Sequence, residues 1–391
     1  MNTRGQVGGI YMDYQASTPA DPRVVEAMQP YWSIIYGNPH SADHAFGWNA
    51  DAAVEVARVQ VAALIGADAD EIVFTSGATE ANNLAVLGIA RGSPPERRRI
   101  VVSAIEHKCV LAAARAAAEE GFEVIIIPVG ADGIVDPRAV AAVVDERVAL
   151  VSVMAVNNEI GTVQPLHEIA ELCAAAGVVF HTDAAQALSV LPIDAGRLGA
   201  DLISLSGHKA YGPKGIGALY VRRGAPVRPR PIIHGGGQEG GLRSGTLPTP
   251  LCVGFGAACH ILTDERDSEV RRIRMLRDRF LVRLREVAPG LRVNGDLASR
   301  HPGNLNAQFP TLDAGLLLQR LQPGLAASTG SACTSGQPEP SHVLRAIGLS
   351  QEQAESSVRF GIGRFTTDTD IEAAVIILNT AVMQIRAGVS G

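Results

Sequence analysis

Lysine is almost missing from this sequence. Of 34 lysines and arginines only three are lysine, Lys108, Lys209 and Lys214. Arginine stays protonated and cannot form a Schiff base, so the retained lysines are the first candidates for amine chemistry. Aromatic residues are also scarce, at 4%. Many of them gather in 31–48 (YWSIIYGNPHSADHAFGW), around a Gly37-Asn38-Pro39 break with His40 and His44. That loop either lines a pocket or packs on the surface. The sequence has no CxxC pair. Its five cysteines, Cys109, Cys173, Cys252, Cys259 and Cys333, lack disulfide-framework or zinc spacing. They suit free thiols in a reducing compartment, so the expected location is the cytoplasm and no resident metal site is expected. There is no basic tract, and the net charge is -6, which argues against nucleic acid or an anionic membrane as partner. The start, MNTRGQVGGIYMDYQ, has no apolar signal-peptide core. The longest continuous apolar runs, such as 148–156, are of strand length.

What is present is a long alternation. The chain has 391 residues, 47% of them hydrophobic, enough for two domains. Apolar runs at 72–75, 99–103, 124–128, 148–156, 178–182 and 202–205 read as strands, and helical patterns at 77–90, 108–119 and 165–176 separate them. Such alternation implies an α/β fold with a mostly parallel sheet, and 216–221 reads as an antiparallel return. The glycine-rich 234–245 (HGGGQEGGLRSG) reads as an exposed, mobile segment. After Pro250 the texture changes to a charged amphipathic helix at 265–287, shorter elements, and a last helix at 369–386. The expected division is a large domain at 16–258 and a small α+β domain built from 1–15 and 259–391.

Chemistry-bearing residues recur where strands end, the edge at which α/β sheets place their sites. Lys209 follows the strand 202–205 in Ser206-Gly207-His208-Lys209, on a turn that glycine and proline keep from becoming a helix. Asp183 follows 178–180 in HTDAAQ, where a buried carboxylate needs a cationic partner such as a protonated pyridine nitrogen. His107 follows 101–103, and Asn157-Asn158-Glu159 follows 148–156. Thr75-Ser76-Gly77-Ala78-Thr79-Glu80 follows a strand and opens a helix, which makes an anion cradle; it matches neither a Walker A loop nor GxGxxG. An anion cradle, an aspartate, amides and a Schiff-base lysine together describe a pyridoxal phosphate site. In Ser328–Gly336 (STGSACTSG) small residues surround one thiol, Cys333. A thiol acts as thiolate, from an ordinary pKa of about 8.5. Arg359, in an apolar context, is either a clamp for a substrate carboxylate or half of a structural ion pair.

These motifs resemble the pyridoxal-phosphate-dependent cysteine desulfurases, in the group that serves iron–sulfur cluster assembly and nitrogenase maturation. The resemblance runs from about Tyr11 to Arg386 through DYQASTPADPRV, GNPHSADHAFG, EIVFTSGATEANNLA, EHK, VNNEIG, HTDAAQA, SGHKAYGPKGIGALYVRR, GGGQEGGLRSGT, STGSACTSG and SSVRFGIGRFT. It implies a fold type I, aminotransferase class V-like homodimer. Lys209 would carry the cofactor as a Schiff base. Ala78 N–H, Thr79, Ser206 and His208 would bind its phosphate, with Thr246 reaching in from the other subunit. Asp183 would pair with the ring nitrogen, His107 would stack on the ring, and Gln186 would bond its oxygen. Asn158 would contact cofactor and substrate, and Arg359 would grip the carboxylate of L-cysteine. Cys333 would take the sulfur as a persulfide, leaving L-alanine, and would serve as a transient iron–sulfur ligand during delivery to a scaffold or other acceptor protein.

The sequence departs from the family in two places. Gln15 and Ser17 stand where members usually read DYSATTP. It also stops at RAGVSG soon after the last helical pattern, without the tail that assembly-type members use to dock a scaffold, so the expected acceptor stays open. Two other readings remain. A different pyridoxal enzyme, such as a selenocysteine lyase or small aminotransferase, would not need Cys333. A non-catalytic sulfur carrier would make no alanine.

Overall fold

The structure, a computed structural model, describes residues 8–330 and 341–389. Its strands are β1 (Ile10–Tyr11), β2 (Ile72–Thr75), β3 (Arg99–Ser103), β4 (Glu123–Ile127), β5 (Val148–Ser152), β6 (Val179–Asp183), β7 (Leu202–Ser206), β8 (Gly217–Val221), β9 (Arg292–Val293), β10 (Asn304–Gln308), β11 (Leu325–Ala326) and β12 (Ser357–Gly361). Seven of them form one sheet in the order β2-β8-β7-β6-β5-β3-β4. Pairing is parallel from β7 to β4, while β8 runs antiparallel to both β7 and β2. Strands β5 to β8 are buried at every position, because helices cover both faces. The helices Ala78–Gly92 and Lys108–Glu119 pack Leu84, Ile89 and Val110 on one face, against Ile100, Leu150 and Leu202. Val54 and Val61 of the helix Ala45–Leu64, with Ile169 and Phe255, pack on the other, against Val101, Phe180 and Ile203. Burying side chains of this size stabilises the fold by roughly 1.5–3 kcal/mol each.

A second core surrounds the antiparallel sheet β12-β10-β9. Phe360 is its centre, edge-on to Phe280 at 5.2 Å and Phe309 at 6.3 Å. The helix Asp368–Val389 is long and apolar enough by length and composition to cross a membrane. Its Ile371, Leu378 and Val382 pack into this second core.

Two expectations change. The charged helix placed at 265–287 begins at Thr249 and runs 39 residues to Val287. Pro250 sits in its first turn, where proline is tolerated rather than breaking. Cys252, Phe255 and Cys259 of this helix belong to the first core, and Ile273, Leu276 and Phe280 to the second. The segment 234–245 is not simply an exposed tether. Its Glu239 carboxylate is buried, accepts two 2.8 Å hydrogen bonds from Arg58, and accepts a third at 2.6 Å from Phe74 N–H. Leu242 is buried beside it.

Candidate active site

The strand ends open into a cavity of about 510 Å³. At its floor β7 ends and Gly207–Lys209 close one 3-10 turn, which presents Lys209. Gly217 allows this close fit: a Cβ there would lie 2.4 Å from the Leu205 carbonyl oxygen and 2.7 Å from Gly77 Cα. Tyr211, two residues on, is a non-glycine with φ 60°. Its N–H donates to Thr18 Oγ1 at 2.9 Å, and the Arg364 guanidinium lies 4.3 Å over its ring. Strain of this kind collects at functional sites because the surroundings hold it in place.

The Lys209 amine donates to the carbonyl oxygens of Gln15 and, at 2.8 Å, Ala16. Burial lowers its pKa to about 8; Arg359 adds to the depression, and Asp13 and Asp183 oppose it. At neutral pH about a tenth of the amine is then unprotonated, against roughly one part in three thousand for an ordinary lysine. The same short segment reaches two more site residues. Ser17 Oγ lies 3.2 Å from His208 Nδ1, and Gln186 Nε2 donates to the Gln15 carbonyl at 2.8 Å. Burial, then Lys209 and Lys214, bring the His208 pKa to about 4, so its ring is neutral.

On the adjoining wall, Gly77 caps the helix Ala78–Gly92 with φ +146°, a conformation that side chains other than hydrogen rarely adopt. Ala78 and Thr79 line the cavity. First-turn N–H groups have no partner within the helix, and the helix dipole is positive there, so an anion fits. Glu80 accepts from Ser76 N–H at 2.8 Å and pairs with Arg243 at 2.8 Å, which fixes the turn. Ser206 lines the same wall.

Asp183 ends β6 and is buried. Its Oδ1 accepts from Ala185 N–H at 2.9 Å and its Oδ2 from Asn82 Nδ2 at 2.7 Å. Opposite, His107 caps the helix Lys108–Glu119, its Nδ1 accepting from Cys109 N–H at 3.2 Å. Accepting at Nδ1 places the neutral ring's proton on Nε2. Loss of hydration lowers the His107 pKa, against the pull of Asp183. Asn158 lines the cavity. Asn157 does not: its Oδ1 accepts from the N–H groups of Glu159 and Ile160 and so builds the turn.

Ala78, Thr79, His107, Asn158, Asp183, Gln186, Ser206, His208 and Lys209 are thus brought to one cavity. Lys214 lines it as well. Arg359 and Thr246 are not among its described lining residues. Arg359 is buried in β12 and ion-paired with Asp13 at 2.5 Å. Thr246 is exposed, in a separate groove beside Tyr31, Trp32 and Tyr36. Cys333 lies outside the described residues. Sequence reasoning missed Asp13 and Asn82, which touch the site only through other residues. It also read Cys109 only as one of five free thiols. That thiol lines the cavity, yet burial raises its pKa to about 12 and keeps it protonated. Its position two residues after His107 was the available signal.

Residues 10–374 match the profile of the aminotransferase class-V family. The chain is 50% identical over 378 residues to the cysteine desulfurase IscS of Rickettsia rickettsii (strain Iowa), covering 97% of this chain and 92% of that protein. A solved NifS-like protein superposes with TM-score 0.90 at 33% identity, covering 96% of this chain and all of the other. SspA, solved in complex with cysteine, superposes with TM-score 0.81 at 38% identity, covering 91% of this chain and 99% of SspA. The chain belongs to the aminotransferase class-V family, in its cysteine desulfurase group.

Proposed function

We propose that this protein is a pyridoxal-phosphate-dependent cysteine desulfurase that converts L-cysteine to L-alanine and takes the sulfur onto Cys333 as a persulfide. The observation that carries the reading is the Lys209 amine, with its pKa near 8, sharing one cavity with Asp183 and a helix N-terminus. The donor set fits the cofactor. The Gly77–Thr79 cradle and the neutral His208 suit a phosphate, and the buried Asp183 carboxylate suits a protonated ring nitrogen. Bound there, pyridoxal phosphate supplies a carbonyl for amines and an electron-withdrawing ring.

In this reading Ala78 N–H, Thr79, Ser206 and His208 hold the phosphate, joined by Thr246 of a second copy. Asp183 keeps the proton on the ring nitrogen. His107 stacks its neutral ring against the cofactor, and Gln186 and Asn158 orient it. Arg359 and Asn158 receive the substrate carboxylate; the complex of the related SspA with cysteine supports that substrate. Lys209, whose depressed pKa populates a neutral amine, would serve as the base beside the substrate. The Cys333 thiolate attacks the substrate sulfur: the S–S bond forms, the Cβ–S bond breaks with its electron pair going to carbon, and a proton completes alanine. An iron–sulfur scaffold or another acceptor protein then receives the sulfur, in the cytoplasm; the four free cysteines among the described residues suit that compartment. Exposed Trp32 and Tyr36 in the Thr246 groove, with exposed Ile34, Phe46 and Trp48 close to them in sequence, support a homodimer. The two cores support a division into a large domain, 16–258, and a small one, 1–15 and 259–391, with the first core reaching on to Cys259 and Leu262 of the joining helix.

The test supplies L-cysteine to the cofactor-loaded protein and measures alanine. Lys209→Ala is expected to lose the visible absorbance of a lysine-bound cofactor and about a hundredfold or more of the rate. No alanine from wild type, or an unchanged spectrum in the variant, contradicts the proposal.

A further inference from the structure

Arg359, the cation assigned above to the substrate carboxylate, is already engaged. Its Nη1 donates to the Asn158 carbonyl at 2.9 Å, and its Nη2 to Asp13 Oδ1 at 2.5 Å and Ser328 Oγ at 3.0 Å. Its Nε is buried and has no partner among the described residues. Asp13 Oδ1 also accepts from Ser328 Oγ at 3.1 Å. Backbone register fixes all three residues: Asp13 bridges Gly361, and Ser328 bridges Arg359, whose N–H donates to the Ser328 carbonyl at 2.7 Å. Both Nη atoms are therefore committed, and among the described residues the Nε–H is left unsatisfied. A carboxylate oxygen takes such an N–H in a charge-assisted hydrogen bond. A buried donor without a partner favours whatever acceptor can reach it.

Asp13 also begins the segment whose Gln15 and Ala16 carbonyls hold the Lys209 amine. The carboxylate and amine of an α-amino acid are a fixed distance apart. A site that uses both must hold its guanidinium and its lysine in register, and here one stretch of four residues, 13–16, touches both. We propose that Asp13 is a positioning residue for the reaction. Its Oδ1 fixes the guanidinium of Arg359 so that the Nε–H is left for a substrate carboxylate oxygen, in register with Lys209. The inference rests on the desulfurase reading for the identity of the substrate.

The test uses the cofactor-loaded enzyme and its Asp13→Ala, Asp13→Asn and Ser328→Ala variants with L-cysteine. A residue that only positions the carboxylate grip acts on KM more than on kcat. Asp13→Ala is expected to raise KM about tenfold or more and change kcat less than about threefold, with cofactor content after gel filtration unchanged. Asp13→Asn keeps an acceptor at Oδ1 and is expected to bring KM back to within about threefold of wild type. Should Asp13→Ala not fold, Ser328→Ala loosens Asp13 without baring a charge and is expected to raise KM about threefold at constant kcat. Unchanged KM in the variants overturns the inference. So does a joint fall of kcat and cofactor content, or an Asp13→Asn as impaired as Asp13→Ala. The shift of the unfolding midpoint by L-cysteine, larger in wild type than in Asp13→Ala, reads the same contact without turnover. Wild type that binds L-cysteine yet makes no alanine contradicts the desulfurase reading and leaves this comparison standing.

Discussion

Lys209 loses hydration inside the cavity, and that loss outweighs its neighbouring charges in bringing its pKa to about 8. Burial disfavours the ammonium, so the reactive neutral amine is populated at lower pH than for a free lysine. The rate at which cofactor-free protein takes up pyridoxal phosphate is expected to rise with pH through about 8 and then level off. Stopped-flow absorbance checks this; a rate still climbing tenfold per unit above about pH 9 contradicts it. Lys209, Asp183 and His107 were legible in the sequence because each follows an apolar strand, and a parallel sheet brings its strand ends to one edge. Asp13 was not legible. Its partner Arg359 is 346 positions away, and no spacing rule joins an N-terminal aspartate to an arginine so far along the chain. Asn82 was hidden differently. It sits inside a helix whose pattern looks like ordinary packing, and only the coordinates turn its amide onto Asp183.

Among the elements, the glycine-rich stretch 234–245 shows where composition misleads. Its glycines suggest a mobile tether, yet one carboxylate ties it to the first core. Glu239 meets Arg58 through both oxygens and also takes Phe74 N–H, while Arg58 lies 4.8 Å over the Phe74 ring. Removing Glu239 leaves the buried Arg58 charge with only the exposed Glu55 carboxylate, 3.0 Å away, as an acidic partner among the described residues. Glu239→Ala is therefore expected to destabilise the fold by about 3–5 kcal/mol, read as a lowered denaturant midpoint. A loss below about 1 kcal/mol would mean the pair behaves like an exposed one. The stretch leads to Thr246, so this anchoring also places the residue assigned to the second subunit's phosphate. The parallel strands and their covering helices were read closely from hydrophobic period. The early start of the long helix was not, because Pro250 looks like a breaker unless the chain places it in a first turn.

For the whole molecule, the two cores are joined by a helix and by charge. Arg364 binds Asp21 at 2.7 Å and Glu269 at 2.6 Å, and Asp21 also binds Arg23. The N-terminal segment, the long helix and the C-terminal part thus meet behind the cavity, and the segment that holds Lys209 is stretched between them. This arrangement places a depressed-pKa amine and an anion cradle on a common frame, to which, in the proposed function, Arg359 would add a carboxylate grip and Cys333 its thiol. The most direct measurement of that account follows alanine formation and persulfide on Cys333 together, by mass spectrometry of the protein after a single turnover with L-cysteine. Wild type is expected to gain one sulfur atom on Cys333 for each alanine released. Cys333→Ser, with its cofactor spectrum intact, is expected to release alanine at least about a hundredfold more slowly. A Cys333→Ser enzyme that makes alanine as fast as wild type, or sulfur that appears on another residue, would contradict the account.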